Sequence, residues 1–115
     1  MELILVLSLE GLDYYGYIPE TFHAKPGQTE SFELTDEDEN LLDQDFINPI
    51  DRLCNSLIDL GDVDYLNAEQ CKLMLGWLEQ RLTEPVTSRL ETIYRKLVEF
   101  ANRAIELNTG IVFNL

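Results

Sequence analysis

The stretch "MELILVLSL", residues 1–9, decides the fold of this chain. Leucines at positions 3, 5, 7 and 9 alternate with Ile4, Val6 and Ser8, so both faces of an extended segment are apolar for most of its length. A strand with two apolar faces is either covered on both sides or lies in the middle of a sheet. We therefore predict that residues 1–9 form such a strand.

Other short strands are predicted near both ends of the chain. Gly11 ends the first run, and "LDYYGYI" (12–18) favours a return strand with a bulge at Gly16. The segments around Pro19 and "KPGQ" (25–28) indicate loops, after which "ESFEL" (30–34) favours a third strand. The final "IVFNL" (111–115) predicts a strand that pairs with the first one.

Three helices are predicted between these strands, over residues 49–60, 68–82 and 86–108. Asn48 as N-cap with Pro49 at the first helical position begins the first, and Gly61 ends it. Asn67 with Gln70 three residues later is a capping-box pattern that begins the second. The third keeps apolar residues at helical spacing until Asn108 and Gly110.

Trp77 lies away from the main apolar stripe of the second helix. Its position predicts either a helix packed on two sides or an exposed tryptophan that contacts a partner.

The predicted fold class is α+β, in one domain spanning residues 1–115. A small, mostly antiparallel N-terminal sheet carries the three helices, and the C-terminal strand returns to that sheet.

Charge is distributed very unevenly along this acidic chain, whose net charge is −14. Residues 1–70 hold 17 carboxylates against Lys25 and Arg52, whereas residues 71–115 hold five carboxylates against six basic residues. A negative surface repels nucleic acid and anionic membranes, so neither is expected as a direct partner. The negative field belongs to the first part of the chain.

The densest acidic segment is "TDEDENLLDQD", residues 35–45, with six carboxylates, and the pattern leaves open whether it is helix or loop. Asp36, Asp38 and Asn40 match the first ligand positions of a calcium loop, but Leu41 replaces the required glycine and Ile47 the final glutamate. We expect no calcium site there.

Catalytic motifs and cofactor signatures are not found in the sequence. "GDVDY" (61–65) supplies a D-x-D pair in an expected loop, and the single histidine, His23, lies in another. Cys54 and Cys71 fall on apolar helix stripes and are expected to be buried and inert. We therefore expect a non-enzymatic protein without a cofactor or metal.

The N-terminal apolar run lacks the basic residues and the cleavage site of a signal peptide, and no run approaches the length of a membrane span. With only two cysteines, far apart, the sequence predicts a cytoplasmic protein.

Protein recognition is the function that composition favours most, because carboxylates attract a basic partner and neighbouring tyrosines anchor it. The alternative is that the acids only form a solvated surface. The candidate partner-binding residues are Asp13, Tyr14, Tyr15, Tyr17, Asp36, Glu37, Asp38, Glu39, Asp43, Asp45, Asp62, Asp64 and Tyr65.

The C-terminal half, "LNAEQCKLMLGWLEQRL" followed by "RLETIYRKLVEFANRAIELNTGIVFNL", resembles the immunity proteins encoded beside bacterial polymorphic toxins. The resemblance lies in two amphipathic helices, an "AIEL" helix end and "NTGIV" leading into a strand. It includes no catalytic or ligand motif, so it transfers no residue role. It implies a cytoplasmic protein that binds a cognate toxin and covers its active site or an adjoining surface.

Two alternatives remain open at this stage. Carboxylates spaced like phosphates describe a nucleic-acid mimic that inhibits a DNA-processing enzyme. The D-x-D pairs describe a small metal-dependent protein.

Overall fold

A four-stranded antiparallel sheet forms the centre of the molecule, in the order β4-β1-β6-β5. The computed structural model describes residues 1–115. Numbered along the chain, the strands are β1 (Glu2–Val6), β2 (Tyr14–Tyr15), β3 (Ile18–Pro19), β4 (Thr29–Glu33), β5 (Val63–Asn67) and β6 (Gly110–Asn114). In β1, Leu3 lies opposite Phe32 of β4 on one side and Phe113 of β6 on the other. The predicted pairing of the first and last strands is confirmed.

The two faces of the sheet are both apolar, as the alternation in residues 1–9 predicts. One face contributes Leu3, Leu5 and Phe113 to the main core beneath the helices. The opposite face carries Ile4 and Val112 in a smaller cluster, to which Leu9, Leu12 and Ile18 add partly buried side chains. β1 is therefore both an interior strand and a strand covered on two sides.

Four helices cover the first face of the sheet. They are α1 (Asp36–Asp45), α2 (Ile47–Cys54), α3 (Ala68–Arg81) and α4 (Ser88–Leu107). The α+β prediction is confirmed, with one helix more than expected.

The ring of Trp77 is half-buried and packs edge-on against Phe46 at 5.8 Å and Tyr94 at 5.7 Å between ring centroids. Trp77 therefore belongs to the packing between helices.

Helix α1 occupies the acidic segment 35–45. Thr35 caps it: its hydroxyl accepts from the Asp38 backbone N–H at 3.1 Å, and the Asp38 carboxylate accepts from the Thr35 N–H at 2.9 Å. Carboxylates in a first turn also interact favourably with the positive end of the helix dipole. The helix is thus stabilised at its N-terminus by the residues that make the segment acidic.

The predicted bounds of α2 are wrong at both ends. The helix begins at Ile47, so Asn48 and Pro49 lie inside its first turn, where proline is tolerated because its missing N–H would have no helical partner. It ends at Cys54 because Asn55 adopts the left-handed conformation, with φ 54°. Gly61 lies well beyond this end, in the segment before β5. In contrast, the capping box of Asn67 and Gln70 at the start of α3 is confirmed.

Two β predictions also need correction. "GDVDY" is not a loop, because its last three residues begin β5, which pairs with β6 at the edge of the sheet. Residues 12–18 do not return along β1. They form instead the separate hairpin β2–β3, in which Tyr15 lies opposite Ile18 and Gly16, with φ 64°, opens the two-residue loop.

None of the four helices combines the length and the apolar composition needed to cross a lipid bilayer.

Candidate partner-binding surface

The hairpin arm, defined as residues 13–22, lies over the face of the sheet that the helices leave open. Within the arm, the Glu20 N–H donates to the carbonyl of Asp13 at 2.8 Å. At its tip, the Tyr17 hydroxyl donates to the Asp64 carboxylate of β5. Behind the arm, the Gln28 side-chain amide donates to the carbonyls of Ser8 at 2.9 Å and Glu10 at 2.7 Å. These contacts fix the course of the arm across the sheet.

Four aromatic side chains of the arm are exposed to solvent. Tyr15 and Phe22 have 84% and 87% of their surface exposed, and Tyr14 and Tyr17 have 51% and 58%. Monomeric proteins seldom concentrate large apolar groups in this way unless the surface binds something. Phe22 was not among the residues predicted from sequence. Its position five residues after Tyr17 in the same acidic segment was the available signal.

A groove of about 480 Å³ opens between the arm and the sheet. Its apolar residues are Ile4, Tyr15, Ile18, Pro19, Phe22, Val63 and Val112, and its polar ones are Glu2, Glu20, Thr21, Thr29, Ser31 and Asn114. Two of these side chains are acidic, Glu2 and Glu20, and none is basic. The groove therefore combines apolar and aromatic surface with negative charge.

The two groove carboxyls have different electrostatic surroundings. Burial raises the pKa of Glu2, and a hydrogen bond with Glu33, its neighbour across β1 and β4, raises it further. For Glu20, desolvation also acts to raise the pKa, but hydrogen bonds from the Phe22 N–H and from His23 outweigh it and the pKa is lowered. Glu20 is thus held as a carboxylate at the mouth of the arm.

Asp38, predicted as a partner-binding residue, is engaged inside the protein. Its side chain is only 2% exposed, and Arg89 of α4 donates to both oxygens, from Nε at 2.8 Å and from Nη2 at 2.7 Å. These hydrogen bonds lower the pKa of Asp38 to about 2. The residue anchors α1 to α4 and is not available to a partner.

Asp45 has a similar internal role at the other end of α1. Arg81 of α3 donates to its two oxygens at 3.1 and 3.0 Å, and the Tyr94 hydroxyl donates at 2.5 Å. Burial, followed by the hydrogen bond to Asp45, raises the pKa of Tyr94 far above its ordinary value. Asp45 therefore links α1, α3 and α4.

Asp64 is almost completely buried and accepts hydrogen bonds from three donors. These are the Tyr17 hydroxyl, the Leu57 N–H at 2.7 Å and the Tyr65 N–H at 2.8 Å. The hydrogen bond to Asp64, with desolvation second, raises the pKa of Tyr17 to about 12. Both oxygens of Asp64 are thus used, and in the exposed Asp62 one oxygen accepts from the Val63 N–H at 2.8 Å.

The remaining predicted residues separate into two exposed surfaces and a buried group. Asp13, Tyr14, Tyr15 and Tyr17 belong to the hairpin arm, and Asp62 is exposed in the segment before β5. Asp36, Glu37 and Asp43 form an exposed stripe along α1, within the helical layer on the other side of the sheet. Glu39 and Tyr65 are buried. The structure thus does not bring the predicted residues into one continuous interface.

The chain matches no family model, no curated protein and no solved structure. What the surface can do must then follow from its own side chains.

Few side chains are placed for metal binding or for nucleophilic catalysis. No cluster of three or more His, Cys, Asp or Glu side chains is placed to hold a metal ion. His23 is 83% exposed, and its Nδ1 lies 3.0 Å from a Glu20 oxygen. Burial raises the pKa of Cys54 to about 11 and that of Cys71 to about 12, which disfavours the nucleophilic thiolate. The hairpin arm and its groove are the surface best equipped to bind a ligand.

Proposed function

We propose that this protein is a non-enzymatic, immunity-type inhibitor that neutralises a bacterial toxin with a basic surface in the cytoplasm. The contact with the toxin is made by the hairpin arm and the groove beneath it. The resemblance of the C-terminal half to immunity proteins supplies the class of function, and the exposed side chains of the arm supply the binding surface.

The observation that carries this proposal is the concentration of exposed aromatic residues among carboxylates. Tyr14, Tyr15, Tyr17 and Phe22 fall within ten residues, 13–22, together with Asp13 and Glu20. Interfaces derive most of their binding energy from a few aromatic or arginine anchors, and truncating one such anchor costs about 2 kcal/mol or more. The four exposed aromatic side chains of the arm are the candidates for such anchors.

The acidic stripe of α1 has a different role in this proposal. Asp36, Glu37 and Asp43 are exposed, and none of them forms an ion pair within the protein. Charges of this kind act through the long-range field and accelerate the approach of a basic partner, an effect that salt screens. The stripe therefore steers association, whereas the arm holds the complex.

The proposal is tested by co-expression with the product of the neighbouring gene, the candidate toxin. Growth should stop when that product is expressed alone and resume when this protein is present. An arm variant, Tyr14→Ala with Tyr15→Ala and Phe22→Ala, should lose the rescue and bind at least 100-fold more weakly. A matched α1 variant, Asp36→Asn with Glu37→Gln and Asp43→Asn, should keep the rescue and show mainly slower association at low salt.

Two results would overturn this proposal. One is a neighbouring product that is not toxic, or whose toxicity is unchanged by this protein. The other is full rescue by the arm variant, which would remove the arm from the interface.

A nucleic-acid mimic is the second candidate, and the α1 stripe is the observation that favours it. Asp36, Glu37 and Asp43 are exposed carboxylates without an ion-pair partner on a ten-residue helix, and they give its solvent side a negative charge. For a mimic, duplex DNA should compete with this protein for the target, and binding should weaken steeply as salt is raised. In that case the α1 variant, rather than the arm variant, should abolish inhibition.

A further inference from the structure

We infer that the groove between the hairpin arm and the sheet is the receptor for one arginine side chain of the partner. The inference rests on the proposed function for the existence of a basic protein partner. It adds the chemical group that enters the groove and the residues that recognise it.

The first reason is the shape and lining of the groove. Its volume of about 480 Å³ lies within the range of pockets that bind small ligands, about 300 to 1,000 Å³. Its floor is the apolar surface of Ile4 and Val112, and Ile18 of the arm lies beside them. An arginine carries three methylene groups that gain from such a surface while the charged end stays near water.

The second reason is the presence of two exposed rings with a carboxylate between them in sequence. Tyr15 and Phe22 line the groove and are largely exposed, so their faces are available to a guest. A planar guanidinium stacks on aromatic rings and donates two parallel hydrogen bonds to a carboxylate, which an ammonium group cannot do. This combination favours arginine over lysine.

The third reason is the charge balance at the groove. Glu2 and Glu20 line it without any basic side chain, and Glu33 lies beside Glu2. The Glu20 carboxylate has about four acceptor positions, of which the Phe22 N–H and the two His23 contacts use three. The His23 ring is exposed and packs edge-on against the Phe22 ring, with 5.0 Å between ring centroids, so an arginine that binds Glu20 competes with this ring. No Lys or Arg side chain lines the groove, so only His23 beside Glu20 and the N-terminal ammonium near Glu2 offset its negative charge.

This inference can be tested without the toxin. N-acetyl-arginine-N-methylamide is titrated into protein with labelled Ile and Val methyl groups, and the shifts of Ile4, Ile18 and Val112 are followed by NMR. The neutral norleucine amide and the lysine amide serve as comparison probes. We expect saturable shifts confined to these methyls, with affinity for the arginine probe at least fivefold above that for lysine and higher still relative to norleucine.

Variants locate the recognition. Glu20→Gln keeps an acceptor oxygen for the Phe22 N–H but removes the charge, and it should weaken arginine binding at least fivefold. Glu106→Gln on α4 makes the same change of charge at an exposed position away from the groove and should leave the affinity unchanged. An unaltered amide spectrum outside the arm confirms that each variant is folded.

The inference is overturned if the arginine probe shifts no groove methyl, if norleucine binds as well as arginine, or if Glu106→Gln weakens binding as much as Glu20→Gln. These outcomes are independent of toxin identity. A groove that binds arginine together with a failed co-expression test would leave the receptor intact and reject the immunity role. Successful rescue together with a groove that does not bind arginine would support the immunity role and reject the arginine receptor.

Discussion

Arg89 of α4 and Asp38 of α1 are joined by two hydrogen bonds, one to each carboxylate oxygen, at 2.8 and 2.7 Å. The guanidinium also lies 5.5 Å from the centre of the Phe32 ring of β4. One arginine therefore connects the first helix, the last helix and an edge strand, and it neutralises a carboxylate that has almost no contact with water.

Replacing Arg89 with methionine should destabilise the protein by about 2 to 3 kcal/mol, because the buried Asp38 carboxylate would lose its partner. The estimate is at the low end for such pairs since Arg89 itself is 45% exposed. Urea unfolding followed by circular dichroism measures the change. Arg95→Met is the control: its contact with Glu91 is a 3.6 Å surface pair, and its loss should cost less than about 1 kcal/mol. Equal effects of the two substitutions would contradict the role given to Asp38.

The same pair predicts how stability depends on pH. The folded-state pKa of Asp38 is about 2, below its ordinary value of 3.8, so the pair stabilises the fold fully above pH 3.8 and loses this effect as pH falls toward 2. The contribution is on the order of 2 kcal/mol. Unfolding free energies of the native protein and of Asp38→Asn should therefore differ most above pH 5 and converge near pH 2. A difference that stays constant over this range would show that Asp38 does not titrate as proposed.

Tyr17→Phe should loosen the hairpin arm without disturbing the sheet. The substitution removes the hydroxyl donor to the buried Asp64, which retains the two backbone donors Leu57 and Tyr65. We expect a loss of about 1 kcal/mol and faster hydrogen exchange at the Glu20 amide, which closes the hairpin. Tyr15→Phe removes an exposed hydroxyl that makes no hydrogen bond and should change neither quantity. Similar hydrogen-exchange rates at the Glu20 amide in both variants would show that the Tyr17–Asp64 hydrogen bond does not hold the arm in place.

Substitutions of two glycines by alanine should change the free energy of unfolding in opposite directions. A Cβ on Gly110 would overlap the Leu66 carbonyl oxygen and lie 2.5 Å from the Tyr65 ring, so Gly110→Ala should destabilise the protein by about 3 kcal/mol. Gly76 lies within α3, is exposed and has open space around it, so Gly76→Ala should stabilise by about 0.5 to 1 kcal/mol. Thermal unfolding of both variants compares them directly. A Gly110→Ala protein as stable as the original would mean that β5 and β6 separate easily.

The elements that sequence predicts well are those whose signal is local. The two-faced apolar run of residues 1–9 indicates an interior strand, and the capping box at Asn67 marks the start of α3. Helix α1 also carried a local signal, since Thr35 and Asp38 have the spacing of a capping box and acids fill the first turn. Because residues 35–45 are so densely charged, this signal did not decide between a helix and a loop.

β5 was missed for a reason that no local pattern reveals. Two aspartates after Gly61 favour a turn, and Asp64 is tolerated in a strand because the Tyr17 hydroxyl and the Leu57 N–H, from other segments, join the Tyr65 N–H in satisfying its carboxylate.

The candidate site was only partly predictable for the same reason. Arg89 lies 51 residues from Asp38 in sequence and Arg81 lies 36 from Asp45, so composition alone could not tell these paired acids from the free ones. The groove likewise exists only because the arm folds over one face of the sheet. The hydrogen bond that holds the arm there joins Tyr17 to Asp64, 47 residues later in the sequence.

The position of β6 between β1 and β5 has a consequence for the newly made chain. While the N-terminal part is emerging from the ribosome, β1 and β4 can already pair with each other, but β5 has no neighbour in the sheet until residues 110–114 have left the tunnel. Pairing of strands so distant in sequence is slow, and an unpaired strand edge invites association with other chains. Val112, part of the floor beneath the arm, arrives with the same last strand. The groove beneath the arm is therefore completed only after β6 has been made, together with the sheet itself.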